Sequence, residues 1–305
     1  MFDLLQKLVC ISLDIHIWSG QKKLQAADLN LTAGEIPPEK LASLGIKKIC
    51  NPSLLKPFQT LRRRAERICE ASGVRFLGGF AVPEDKAQAV GAELEKVAAE
   101  FEAEKSAFLR NYQQSVSDWM DTIPDRWRLM VTQAVELPEH VAERLSFAFQ
   151  TYQVQSVEGL NGGLEQSLQG LGDQLFQEIA QAARQSWEAS FRGKTQAGQK
   201  ALRPIRAILD KAKGLSFLDG SLAPVIDGIE AELAGLPRSG RLEGRDFHTL
   251  VGILNTLTNL DGIMLPSEPG LEEWESHGET ESSEHEIKEM IQPAVQPVTM
   301  PATWF

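Results

Sequence analysis

EDKAQAVGAELEKVAAEFEAEKSAFLRNYQQSVSDW, residues 84–119, decides the architecture. Ala87, Val90, Leu94, Val97 or Ala98, Phe101, Phe108, Tyr112, Val116 and Trp119 recur at steps of three and four, the repeat of one helix face. Pro83 stands before the run, and Glu84 and Asp85 fill its first turn, where the helix dipole favours acids. About 35 residues with no proline and only Gly91 to weaken them predict a helix roughly 50 Å long. A helix of that length outgrows a compact core and needs a partner helix.

The natural partner lies downstream. Leu164, Leu168, Leu171, Leu175, Ile179, Ala182 and Trp187 form a near-heptad seam. Gly162, Gly163, Gly170 and Gly172 lower helix propensity at its start. Shorter helices are predicted at roughly 196–213, 221–235 and 246–260, with Pro204 as a kink or fresh start. Leu236–Arg245 (LPRSGRLEGR) reads as a loop carrying three arginines.

Strand signals are few and sit mostly upstream. In LVCISLDIHIW (8–18), Ile11, Leu13, Ile15 and Ile17 alternate with Ser12, Asp14, His16 and Trp18. Residues 73–83 read as a second strand, whose Gly78–Gly79 pair suggests a bulge or a close backbone approach. RLSFAFQTYQVQSV (144–157) alternates again, with a helix ending as the alternative. A linker holding Pro37–Pro38, a short helix from Glu39 and a basic amphipathic helix over 58–71 fill the interval between the first two. The fold class is mainly α with a small α+β N-terminal part, built on a long helical hairpin or coiled-coil-like bundle. Three domains are expected: an α+β head with the basic helix over 1–83, a long-helix body over 84–266 with one strand near 145–155, and a disordered acidic tail with an apolar C-terminal peptide over 267–305.

Charge follows this division. The 305 residues carry a formal net charge of −11, but residues 267–289 hold nine glutamates against one lysine, leaving −3 for residues 1–266. Residues 1–75 are net +5 and residues 84–143 net −7. A basic head beside an acidic middle implies two surfaces with different partners, or surfaces that face each other. Lys47, Lys48, Lys56, Arg62, Arg63, Arg64, Arg67 and Arg75 form the basic patch, relieved only by Glu66 and Glu70. Such a patch suits phosphates, and so nucleic acid, by counterion release, although no aromatic ladder accompanies it. The other reading is a structural or protein-binding face that meets the acidic helix.

Catalytic motifs are missing: no HExxH, GxSxG or Walker-type loop occurs. Asp14 and His16 share a strand face and are the one acid–base or ligand candidate, with an exposed polar face as the plainer explanation. Paired acids such as Glu93/Glu95 and Glu102/Glu104 read as solvated charge. No catalytic residue, metal site or cofactor is expected. Cys10, Cys50 and Cys69 have no ligand spacing, and Cys10 and Cys50 read as small buried hydrophobes. Without a secretory start or a membrane-length apolar run, the expected compartment is the cytoplasm, with no membrane partner. Beyond the acidic run, MIQPAVQPVTMPATWF (290–305) is uncharged and proline-spaced, and Met300, Trp304 and Phe305 are candidate partner-docking residues.

Leu13–Gly20, Pro38–Gly45, Gly73–Gly79 and Arg144–Gln150, in that order, resemble an uncharacterised bacterial family, a domain of unknown function carried on integrative conjugative elements, plasmids and phages. The resemblance spans roughly residues 8–260 and carries no active-site residue. It implies an accessory role near MoxR-type AAA+ ATPases and von Willebrand A-type proteins. The sequence therefore favours a non-enzymatic accessory or adaptor protein of a mobile genetic element. Its partners are expected to be proteins, reached through its helices and terminal peptide, with homo-oligomers through the long helices as a further option. The alternatives are a DNA-associated protein using the basic patch and, third, an enzyme or metal protein using Asp14 and His16.

Overall fold

Leu8–His16 is the strand that organises the molecule. Its odd residues Val9, Ile11, Leu13 and Ile15 turn to one face of a sheet, and Leu8 and Cys10 turn to the other. The computed structural model describes residues 2–29, 41–157 and 162–260. The Pro37–Pro38 linker, the helix start at Glu39, the acidic tail and the terminal peptide lie outside those residues.

In chain order, α1 (Phe2–Gln6) leads into β1 (Leu8–His16). A small antiparallel pair follows, β2 (Gln21–Lys23) with β3 (Ile46–Lys48). Next come α2 (Lys56–Ser72), β4 (Val74–Phe76), β5 (Gly79–Pro83) and α3 (Glu84–Asp121). The expected single strand at 73–83 is a hairpin. Leu77 and Gly78 turn it with φ of 46° and 78°, the positive values that a two-residue turn between twisted strands requires. The close approach read from the glycines is present: a Cβ on Gly79 would lie 2.4 Å from the Ile11 carbonyl oxygen.

α4 (Asp125–Thr132) and α5 (Pro138–Glu143) then return the chain to β6 (Ser146–Tyr152). β6 joins the sheet in the order β4-β5-β1-β6, antiparallel throughout. The strand expected near 145–155 therefore sits beside β1, far from it in sequence.

The last third is helical. α6 (Gly163–Ser190), α7 (Leu202–Gly214), α8 (Leu222–Ala234) and α9 (Arg245–Thr258) form a bundle. β7 (Gln196–Gly198), between α6 and α7, pairs antiparallel with β8 (Arg241–Glu243), between α8 and α9, and so ties those two connections together. β8 lies inside the stretch expected to be loop. Its pairing spans about 45 residues and only three positions, and nothing local announces it.

The α6 seam packs against α9 and α7, and not against α3 as the spacing suggested. Its buried positions show why. Leu168, Leu171, Gly172, Leu175, Phe176, Ile179, Ala180 and Ala183 make a stripe wider than a heptad seam, broad enough for two neighbours. The α3 stripe is already covered. Val90, Leu94 and Val97 pack on the sheet residues Ile11, Phe80 and Val82 and on Ala65 and Cys69 of α2. Further along, Phe101, Phe108 and Tyr112 enter an aromatic cluster with Trp18 and Phe58; Phe58 meets Phe101 edge-on at 5.0 Å. The described residues belong to one compact unit, mainly α with a small antiparallel sheet. Among them, no helix is long and apolar enough to cross a membrane.

Candidate functional site

Half of the basic patch is paired within the protein. Lys47 pairs with Asp28, both side chains about nine-tenths covered, and its ammonium holds the Asp28 carboxyl below the usual carboxylate range. Arg62 pairs with Glu66 at 3.3 Å. Arg64 makes a two-pronged contact with Glu100 of α3, at 2.8 and 2.7 Å, which ties the basic helix to the acidic one. Arg75 pairs with Glu70 at 2.8 Å and lies 4.2 Å over the Phe80 ring. The Arg67 Nε donates to the Arg63 carbonyl at 3.3 Å. Lys48, Lys56, Arg63 and Arg67 are exposed and form no ion pair among the described residues. Lys56, Arg63 and Arg67, spaced by seven and four, share one face of α2.

Asp14 and His16 do meet. The His16 Nε2 lies 2.8 Å from the Asp14 Oδ1, on the same face of β1 as Leu8 and Cys10 but toward the far end of the strand, with both side chains well exposed. Among the described residues no third His, Cys, Asp or Glu joins them to complete a metal-binding group. The three cysteines are buried free thiols. Burial pushes the Cys50 thiol up to about 11 and Cys69 up to about 12, so neither is a ready nucleophile at neutral pH. Met300, Trp304 and Phe305 lie outside the described residues.

Two arrangements were not anticipated from the sequence. The first is a carboxylate hub. Glu136, with its side chain only 9% exposed, accepts from the Trp18 indole N–H at 2.7 Å and meets Lys22 at 3.3 Å and Arg144 at 3.2 Å. Burial pushes its carboxyl up, and these three partners more than reverse that, so it sits below the ordinary value. A lone acid inside the apolar stretch Ala134-Val135-Glu136-Leu137 was its sequence signal.

The second is a groove of about 810 Å³ between the C-terminal half of α2, α6 and α7. Ile179, Ala182, Ala207 and Ile208 supply its apolar lining, and Ser186 and Ala189 keep the α6 wall low. Arg67 and Glu70 stand on the α2 rim. Lys211 fixes the three helices: its ammonium, 12% exposed, pairs with Glu178 at 2.6 Å and donates to the Glu70 carbonyl at 2.7 Å. The groove is thereby built before anything binds. The small residues Ala182, Ser186 and Ala189, at helical spacing, were its signal, legible only once α2 is known to lie alongside.

The family described as Protein of unknown function (DUF3150) matches residues 5–259, most of the chain. The chain belongs to the DUF3150 family. The segments that carried the resemblance all fall inside this match, and the DUF3150 region takes in the hub, the groove and the whole sheet. No curated protein and no solved structure matches the chain.

Proposed function

We propose that this DUF3150 protein is a non-enzymatic accessory or adaptor protein that seats a helical segment of a protein partner in the groove between α2, α6 and α7. The groove itself carries the reading. Ile179, Ala182, Ala207 and Ile208 give it an apolar strip between polar rims, Ala182, Ser186 and Ala189 are short enough to let a backbone come close, and the partly buried Lys211–Glu178 pair holds it open. The resemblance to a mobile-element family supplies the rest of the proposal: a cytoplasmic role beside a MoxR-type AAA+ ATPase, with a von Willebrand A-type protein as the other candidate partner. The terminal peptide with Met300, Trp304 and Phe305 is a second attachment point in this reading. Affinity purification with and without residues 290–305 tests that attachment, and recovery of the same partners from both removes it.

A DNA-associated role is the second reading, favoured by the exposed Lys56–Arg63–Arg67 face of α2. It expects duplex binding whose salt dependence flattens by a slope of about 2–3 when the three residues are changed to Ala. Salt-independent affinity, or an unaltered slope, counts against it. Asp14 and His16 acting as a metal or acid–base pair is the third, and metal analysis of the wild type beside His16→Ala decides it.

A further inference from the structure

β6 is an edge strand, and its backbone directions can be worked out. The Glu84 N–H donates to the Lys7 carbonyl at 2.9 Å. This continues the β1–β5 register, in which Leu8 faces Pro83 and Ile11 faces Phe80. Odd-numbered residues of β1 therefore hydrogen-bond to β5, and even-numbered ones turn to β6. Cys10, Ser12, Asp14 and His16 face Tyr152, Gln150, Ala148 and Ser146, with no bulge along the register. The N–H and C=O groups of Phe147, Phe149 and Thr151 consequently point away from the sheet. Among the described residues, none of these three hydrogen-bonds beyond the sheet edge.

Edge strands are normally blunted by a lysine, a proline or a bulge. β6 reads SFAFQTY and has none of them. Ala148, Gln150, Thr151 and Tyr152 are exposed, and Phe147 and Phe149 are only partly covered by α3.

We propose that β6 pairs antiparallel with β6 of a second copy of this chain, about a two-fold axis at Phe149. The two four-stranded sheets then become one continuous sheet. The sequence of the edge argues for a second copy as its occupant. Phe149 faces Phe149 of the partner subunit, and Phe147 faces Thr151 of the partner subunit. Those are the residues with free backbone groups, so each such pair exchanges two hydrogen bonds. On the other face Ser146 meets Tyr152 of the partner subunit, and Ala148 meets Gln150 of the partner subunit. Beyond the strand, Arg144 falls opposite Val154 of the partner subunit, so no like charges oppose.

The test is sedimentation equilibrium of the full chain over a range of concentrations, joined to amide hydrogen exchange. Thr151→Pro removes an outward N–H while leaving the β1 ladder intact, and Thr151→Val keeps the N–H. The wild type and Thr151→Val are expected as dimers of the 33.7 kDa chain. Thr151→Pro is expected to weaken the dimer by about 30-fold or more, since it removes two N–H donors per dimer. Protection of the Phe147, Phe149 and Thr151 amides should rise with protein concentration. A wild type that stays monomeric, a Thr151→Pro variant as dimeric as the wild type, or protection at these amides independent of concentration overturns the proposal. Exchange in the wild type decides the matter even if the proline variant fails to fold.

Discussion

The Trp18 indole N–H donates to the Glu136 carboxylate at 2.7 Å, across 118 residues of chain. This bond fastens the segment between α4 and α5 to the end of β1, and Lys22 and Arg144 close around the same carboxylate. The aromatic cluster beneath it depends on that closure, because Trp18 packs edge-on against Tyr112 at 5.7 Å.

Replacing the carboxylate tests the hub. Glu136→Gln keeps the shape and removes the charge, and is expected to cost about 1–3 kcal/mol at pH 7. The folded Glu136 carboxyl titrates below its unfolded value, so its stabilisation is complete above about pH 4.3 and is lost as the pH falls through the lower folded value. Denaturant unfolding of both forms should show a constant gap near neutrality that narrows in acid. A gap that does not change with pH contradicts this role.

Tyr112 gives the opposite sign. Its side chain is 1% exposed, and its hydroxyl approaches the Glu136 backbone without making a hydrogen bond. Burial pushes that hydroxyl up to about 12. Tyr112→Phe removes a buried polar atom that has no hydrogen-bond partner among the described residues, and should leave stability equal or raise it by about 1 kcal/mol, or about 2–4 °C in Tm. A drop of that size in a thermal melt reveals a partner for the hydroxyl.

The β4–β5 turn yields a matched pair. Leu77 is held at φ 46° and is half exposed, so Leu77→Asn relieves a conformation costing a leucine about 1–2 kcal/mol and should raise Tm. Gly79→Ala puts a methyl against the Ile11 carbonyl and should destabilise by about 2–3 kcal/mol. Equal melting temperatures for the two variants contradict the described turn.

Local periodicity carries far, and its limits here are physical. The α3 stripe from Val90 to Val116, the alternation at Ile11–Ile15 and the alternation at Phe147–Phe149 each report a buried face, and each became the predicted element. What such a face packs against is not a local property. The α6 stripe reads as a seam for α3, yet its buried face from Leu168 to Ala183 is broad enough to take the two shorter helices α7 and α9. β7 and β8, three residues each, have no length over which a period can be seen. Charge partners are likewise not a local property. Lys47, Arg62, Arg64 and Arg75 cluster in sequence as a nucleic-acid surface, but their acids lie at Asp28, Glu66, Glu100 and Glu70, two of them outside the patch. The groove is invisible until α2 and α7 are placed beside α6.

Binding of a co-expressed MoxR-type AAA+ ATPase to the full chain, compared between wild type and Ala207→Trp, tests the groove most directly. Ala207 is exposed on α7 in the groove wall, so the indole fills the groove without entering the core. The ATPase is predicted to co-purify with the wild type and to lose at least about 10-fold in affinity for Ala207→Trp, with the melting temperature unchanged. Equal binding to both proteins, or none to the wild type, contradicts the account.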